Sequence, residues 1–343
     1  MRRWRTHSPA LAAAAAAALA AAPADTAAKP RPPPSAVRAP ARETLWSRIT
    51  DPHGDEVRLL VMKAETAMQR ADDARTGEED WAVEQRARFY RDAYNIAAYA
   101  RTLAPENVAA LAAFARAAEE LGRTAEAIAA LERHAQLTGP DRAGVKVVAR
   151  LGALYLRAGD AERAIRWLRL AEGPLSLIGN DLDRAHALVH LATALAGRGD
   201  IAGAIHTLVN ALPERALGHA SHEATLVGFA LAVLYDRDEQ RAAAFEVLDR
   251  MQAALGAQYQ PQLQLEIARM AFVPPEDLHY YRALLYETLS RYVEARAEWA
   301  LYAAAGGPPY RRRALDHIAA IDAQRREAAK PLQESSAPRR IHR

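Results

Sequence analysis

The stretch Leu151-Gly152-Ala153-Leu154-Tyr155, with Gly159-Asp160, Ala164-Ile165 and Ala171 behind it, decides the fold. It returns along the chain at roughly 34- to 40-residue spacing, the period of a helical-hairpin repeat. With the turn glycine as origin, Gly122, Gly159 and Gly199 are each followed five residues later by Ala127, Ala164 and Ala204, and then by Ile128, Ile165 and Ile205. Leu131, Leu168 and Leu208 come next in register, with Ala171 and Ala211 closing two of the three units and His134 the other. Seven residues before each glycine stands a small residue, Ala115, Gly152 or Ala192, which lets two helix backbones approach closely. A glycine suits the left-handed position just past a helix end, and Thr124, Asp160 and Asp200 are placed to cap the helix that follows. Each unit therefore reads helix, tight turn, helix. A hairpin of this size cannot bury its own apolar face, so neighbours must stack into an elongated solenoid.

The pattern resembles the tetratricopeptide repeat (TPR), met best by Leu151, Gly152, Tyr155, Ala164, Leu168 and Ala171. Ala100-Arg101-Thr102-Leu103-Ala104-Pro105 resembles the close of such a repeat. Two weaker copies follow: Leu231-Ala232 and Tyr235 leading to Ala244 and Leu248, with Glu239 at the glycine position, and Tyr286 leading to Ala295, Trp299 and Gly307-Pro308. The resemblance covers residues 80 to 308 and implies an all-α fold, a right-handed α-solenoid of stacked antiparallel helix pairs. Later units exceed the repeat length, which predicts longer loops, above all around Phe272-Val273-Pro274-Pro275. The expected organisation is a signal peptide over 1–24, a Pro-rich disordered linker over 25–42 and an irregular N-terminal hairpin over 43–105. Repeats over 106–309, a capping helix over 310–327 and a disordered basic tail over 328–343 complete it.

Arg2, Arg3 and Arg5 precede an apolar run from Ala10 to Ala22 and the small residues Ala22-Pro23-Ala24, the three parts of a secretory signal. Export to a periplasm or beyond, with cleavage near Ala24, is the expectation. The run is too short and Ala-rich for a membrane span, and no other stretch qualifies. The chain has no cysteine, so no disulfide supports it after export. The basic residues are concentrated at the ends: the linker has four against one acid and residues 325–343 six against two, whereas residues 43–324 have 32 basic and 39 acidic residues. An acidic body of this kind argues against sequence-independent nucleic-acid binding, which needs clustered Lys and Arg.

In the resembled family the first helix of each hairpin faces the concave side. The corresponding positions here include Lys146, Arg150, His186 and His190, with Arg157 nearby and an apolar stretch near Phe229 and Tyr280 beyond. These seven residues are the expected contacts for a protein or peptide partner. Lys146 and Arg150, one turn apart, would present two cations to one anion. They match half of the family's carboxylate clamp, although Ala113 stands where that clamp needs Asn, and the solvated face of a helix explains the pair as well. His186 and His190 share a helical face at a spacing that chelates a metal if further ligands arrive, or they are groove residues that gain charge in an acidified envelope. His219 and His222 flank a helix start at Ser221, and Asp51, His53, Asp55 and Glu56 read as a helix N-terminus. The nucleophile elbow, the phosphate-binding glycine loops and the His-Glu-x-x-His pattern do not occur. No catalytic residue, metal site or cofactor is therefore assigned. The sequence reads as a binding scaffold for an envelope partner, with self-association through its end helices or a metal-dependent role for the His pair as alternatives.

Overall fold

The hairpin glycines sit where the repeat requires them. Gly122, Gly159 and Gly199 have φ of 72°, 77° and 85°, and the two turns that lack glycine bend the same way, through Glu239 (φ 59°) and Ser290 (φ 58°). A computed structural model of the chain describes residues 52–74, 80–175, 181–212, 221–255 and 260–334. They lie within one unit, Asp51–Arg343. The proposed signal peptide, the Pro-rich linker, His219 and residues 335–343 fall outside the described residues.

Among the described residues there are fourteen α-helices and no strand. In chain order they are α1 (Gly54–Asp73), α2 (Asp80–Leu103), α3 (Val108–Glu120), α4 (Thr124–Thr138), α5 (Val145–Arg157), α6 (Ala161–Leu168) and α7 (Leu182–Gly197). Then come α8 (Ile201–Ala211), α9 (His222–Arg237), α10 (Arg241–Leu255), α11 (Gln260–Arg269), α12 (Asp277–Thr288), α13 (Tyr292–Ala304) and α14 (Arg311–Glu334). Helices pack in sequential pairs, α1 with α2, α3 with α4, α5 with α6, α7 with α8, α9 with α10 and α12 with α13, and α14 covers α13. The first helices of neighbouring pairs also touch, α5 on α7 and α7 on α9, which makes the array an α-solenoid with one continuous core. None of these helices is long and apolar enough to cross a membrane.

Close approach within a hairpin is clearest at Gly152. A Cβ there would lie 2.4 Å from Cγ of Leu168, a fully buried side chain with nowhere to retreat. Gly152→Val should therefore cost about 1–3 kcal/mol of unfolding free energy through overpacking, read as a lower urea midpoint at unchanged m-value.

In the N-terminal hairpin, Asp55 and Glu56 stand in the first turn of α1, where the helix dipole favours them. Asp160 and Asp200 cap α6 and α8 by accepting from Arg163 N and Gly203 N, both at 2.9 Å, and Ser221 caps α9. Thr124 does not cap α4. It is the first helical residue, and Arg123 before it makes no side-chain cap bond. Two boundaries also differ from expectation. The last helix extends to Glu334, so residues 328–334 are helical. The surplus length after α10 is a helix, α11, rather than loop alone.

Candidate partner-binding groove

The first helices α1, α3, α5, α7 and α9 form one side of the array, the side expected to be the inner wall. Its first half is a ladder of charges bridging successive pairs. Arg116 of α3 donates to Asp72 of α1 at 2.5 Å. One helix further on, Arg150 of α5 donates to Glu119 Oε2 from Nε and Nη2 at 3.0 and 2.8 Å, and Arg157 donates to Glu119 Oε1 at 2.7 Å. Two guanidiniums share one carboxylate, so this triad carries one uncompensated positive charge. Lys146, one turn before Arg150, is exposed and adds a second. The structure thus brings three of the predicted residues, Lys146, Arg150 and Arg157, to one region of the wall. It also supplies a partner that no local spacing marks, Glu119.

The His pair lies under cover. His190 is 5% exposed, its Nε2 accepting from the Ala271 amide at 3.1 Å. Burial, then the nearby charges of His186 and Arg157, push its pKa down to about 3. His190 therefore stays neutral in mild acid, contrary to the expectation of a groove residue charged in an acidified envelope. His186 stacks on it at 6.4 Å between ring centroids and turns Nε2 to Glu266, at 2.8 Å. That bond, partly opposed by burial, holds the Glu266 carboxyl below the usual range. The two Nε2 atoms thus serve separate protein partners, and among the described residues no group of three or more metal-ligating side chains gathers.

Phe229 and Tyr280 do not line a groove. They are 1% and 0% exposed, because α9 is enclosed on nearly all sides, its inner positions Leu226, Ala230 and Val233 included. A helix apolar all round is a core helix, and its aromatic neighbour packs with it. Tyr280 instead belongs to a buried polar cluster. Its hydroxyl donates to Asp236 Oδ2 at 2.6 Å, and Arg313 Nε donates to Asp236 Oδ1 at 3.1 Å. His317 lies between Asp236 (Nε2–Oδ2 3.0 Å) and Glu287 (Nδ1–Oε2 2.9 Å), its ring stacked on Trp299 at 4.4 Å. This cluster forms the floor of a cavity of about 540 Å³ between α10, α12 and α14. Its charges satisfy one another.

Left-handed turn residues at equivalent places, the side-chain caps of α6 and α8 and the small-residue seam at Gly152 are those of a helical-hairpin repeat. The chain has a TPR-like helical-repeat fold. No family model and no curated protein sequence matches it. Among solved structures, this TPR-like chain is similar to the APC/C Cut9–Hcn1 hetero-tetramer, at 16% identity and a TM-score of 0.40, over 80% of this chain and 48% of that one. It is also similar to the C-terminal part of a TPR repeat-containing protein from Cytophaga hutchinsonii, at 14% identity and a TM-score of 0.39, over 77% and 98%. A third is the TPR domain of P58(IPK), at 14% identity and a TM-score of 0.28, over 81% and 69%. The chain spans about half the length of the first of these. The fold assignment stands on the hairpins themselves.

Proposed function

We propose that this TPR-like chain is an exported, non-catalytic scaffold that holds an extended segment of an envelope protein against the inner wall of α3 and α5. The observation that carries this reading is the positive surplus at Lys146, Arg150 and Arg157 on the uncovered part of that wall, two cations beyond what Glu119 balances. A free carboxylate, whether an acidic side chain or a chain end, is the complementary group, because Arg offers a planar fork and Lys a mobile point charge. The N-terminal charge and apolar pattern of the sequence supports export. The mature chain is expected to begin near Asp25 and to fractionate with the envelope or the medium, which N-terminal sequencing of the fractionated protein checks.

A photocrosslinker placed at Lys146 in intact cells should give discrete adducts, and one placed at Arg166, exposed on second helix α6, should not. Lys146→Glu with Arg157→Glu should weaken binding of the crosslinked partner at least tenfold, about 1.4 kcal/mol or more, with helicity unchanged. Equal adducts at both positions, or capture that survives the charge reversal, would remove the assignment.

A further inference from the structure

Helix α11 and the residues after it lie along the inner side of α7 and α9. Gln262 Nε2 meets His222 Nδ1 at 2.6 Å, at the start of α9. Glu266 Oε2 meets His186 Nε2 at 2.8 Å, and the Ala271 amide donates to His190 Nε2 at 3.1 Å. At the far end, a Cβ added to Gly197 would come within 2.8 Å of the Val273 carbonyl oxygen. The contacts climb α7 from His186 through His190 to Gly197 while they climb the segment from Glu266 through Ala271 to Val273, so the two run parallel. Leu263 and Ile267, one turn apart, are buried, Phe272 packs on Tyr281 at 4.9 Å between centroids, and Leu265 faces outward. This is the arrangement of an amphipathic helix laid in a groove, with the ligand supplied by the chain itself.

The seam differs from the one inside each hairpin. The two helices of a hairpin meet through apolar contacts such as Gly152 on Leu168, whereas the segment meets α7 through histidines, a carboxylate and a backbone amide. His190 Nδ1 is left buried with no hydrogen-bond partner, the mark of an interface that is filled rather than optimised. The segment is also the length by which this unit exceeds the repeat.

We propose that the inner face of α7 and α9 is a helix-docking groove occupied in cis by residues 262–273, which yields to a partner helix of the same pattern. The pattern is an aliphatic pair one turn apart, a carboxylate beside the second member and an aromatic residue five positions beyond it. This surface is separate from the basic wall of α3 and α5, and the two stand or fall independently.

A labelled synthetic peptide of residues 260–275 tests it on the full mature chain. Leu263→Ser with Ile267→Ser should loosen the resident segment, so the peptide should bind this variant at least tenfold more tightly than it binds the unaltered chain and return its melting temperature toward the original. A scrambled peptide should do neither. A folded variant that takes up no peptide, or equal binding to both chains, overturns the proposal. If the double variant does not fold, hydrogen exchange of the unaltered chain decides: amides of residues 262–273 should exchange about a hundredfold faster than those of α7 and α9. Exchange of all three together would make the segment a permanent part of the core.

Discussion

Asp277→Ala is expected to destabilise the protein by about 3–5 kcal/mol, the cost of leaving a buried charge without its partner. Arg237, in the last turn of α9, and Asp277, the first residue of α12, are each 1% exposed. Nη1 donates to Oδ2 at 2.9 Å, while Nη2 lies 2.9 Å from Oδ1 off the hydrogen-bonding angle, so the pair is one hydrogen bond plus one close ionic contact. The rings of Tyr280 and Tyr310 sit 4.5 and 4.8 Å from the guanidinium carbon. Burial works against the Arg237 charge, yet Asp277 and the surrounding tyrosines more than offset it and hold its pKa raised. Removing Asp277 leaves the cation with aromatic faces alone, worth about 0.5–2 kcal/mol each. Arg237 Nε already lacks a partner. Against a total stability of about 5–15 kcal/mol, such a loss should be plain in urea unfolding followed by helicity. Replacing both members, Arg237→Met with Asp277→Leu, should recover most of it, since a packed apolar pair removes the desolvation penalty along with the attraction. A single variant that loses less than about 1 kcal/mol, the scale of an exposed ion pair, would show that water reaches the site.

Asp277 and Arg237 illustrate what the sequence hides. The repeat was legible because it depends on local spacing: small residues seven before a turn, a left-handed turn residue, an apolar seam every helix. Even the degenerate turn at Glu239 could be placed by counting, and its positive φ agrees. Residues 260–269 escape such counting because the repeat sets an expected length and leaves the surplus to loop, although Leu263, Ile267 and Met270 recur with a helical period and Pro261 suits a helix start. Position within a repeat marks the face that His190 and Phe229 occupy but not whether another segment covers it. Lys146, Arg150 and Arg157 were readable as neighbours on α5, whereas Glu119 reaches them from the preceding hairpin, 31 residues from Arg150. Asp236, Glu287, Arg313 and His317 come from three helices, α9, α12 and α14, and carry no short-range signature at all.

His317 should make the stability of the C-terminal end depend on pH. Burial opposes its charge, but the bonds from its two ring nitrogens to Asp236 and Glu287 outweigh burial and push the pKa up to about 9. The carboxyl of Asp236, also opposed by burial, is held well below its usual range by His317 and Arg313. An unfolded histidine titrates near about 6.5, so between that value and about 9 the folded chain holds a proton that the unfolded chain has released. Stability from this source is complete below about pH 6.5 and lost as pH rises through the folded value. At about 1.36 kcal/mol per pKa unit the loss is about 3 kcal/mol. The Asp236 shift reflects the same contacts from the other side and is not an additional sum; it weakens the cluster at the acid end, where that carboxylate is protonated. Urea midpoints measured across the neutral-to-alkaline window should fall, and His317→Gln, a neutral residue that keeps one donor, should flatten the slope while lowering stability at neutral pH. Because His317 joins α14 to α9 and α12, the loosening should begin at the last helix, with amides of α14 exchanging sooner than those of α5 and α7 as pH rises, after correction for intrinsic exchange. An unchanged midpoint between neutral pH and pH 9 would mean that the Asp236–His317–Glu287 bridge does not hold the proton the geometry assigns to it.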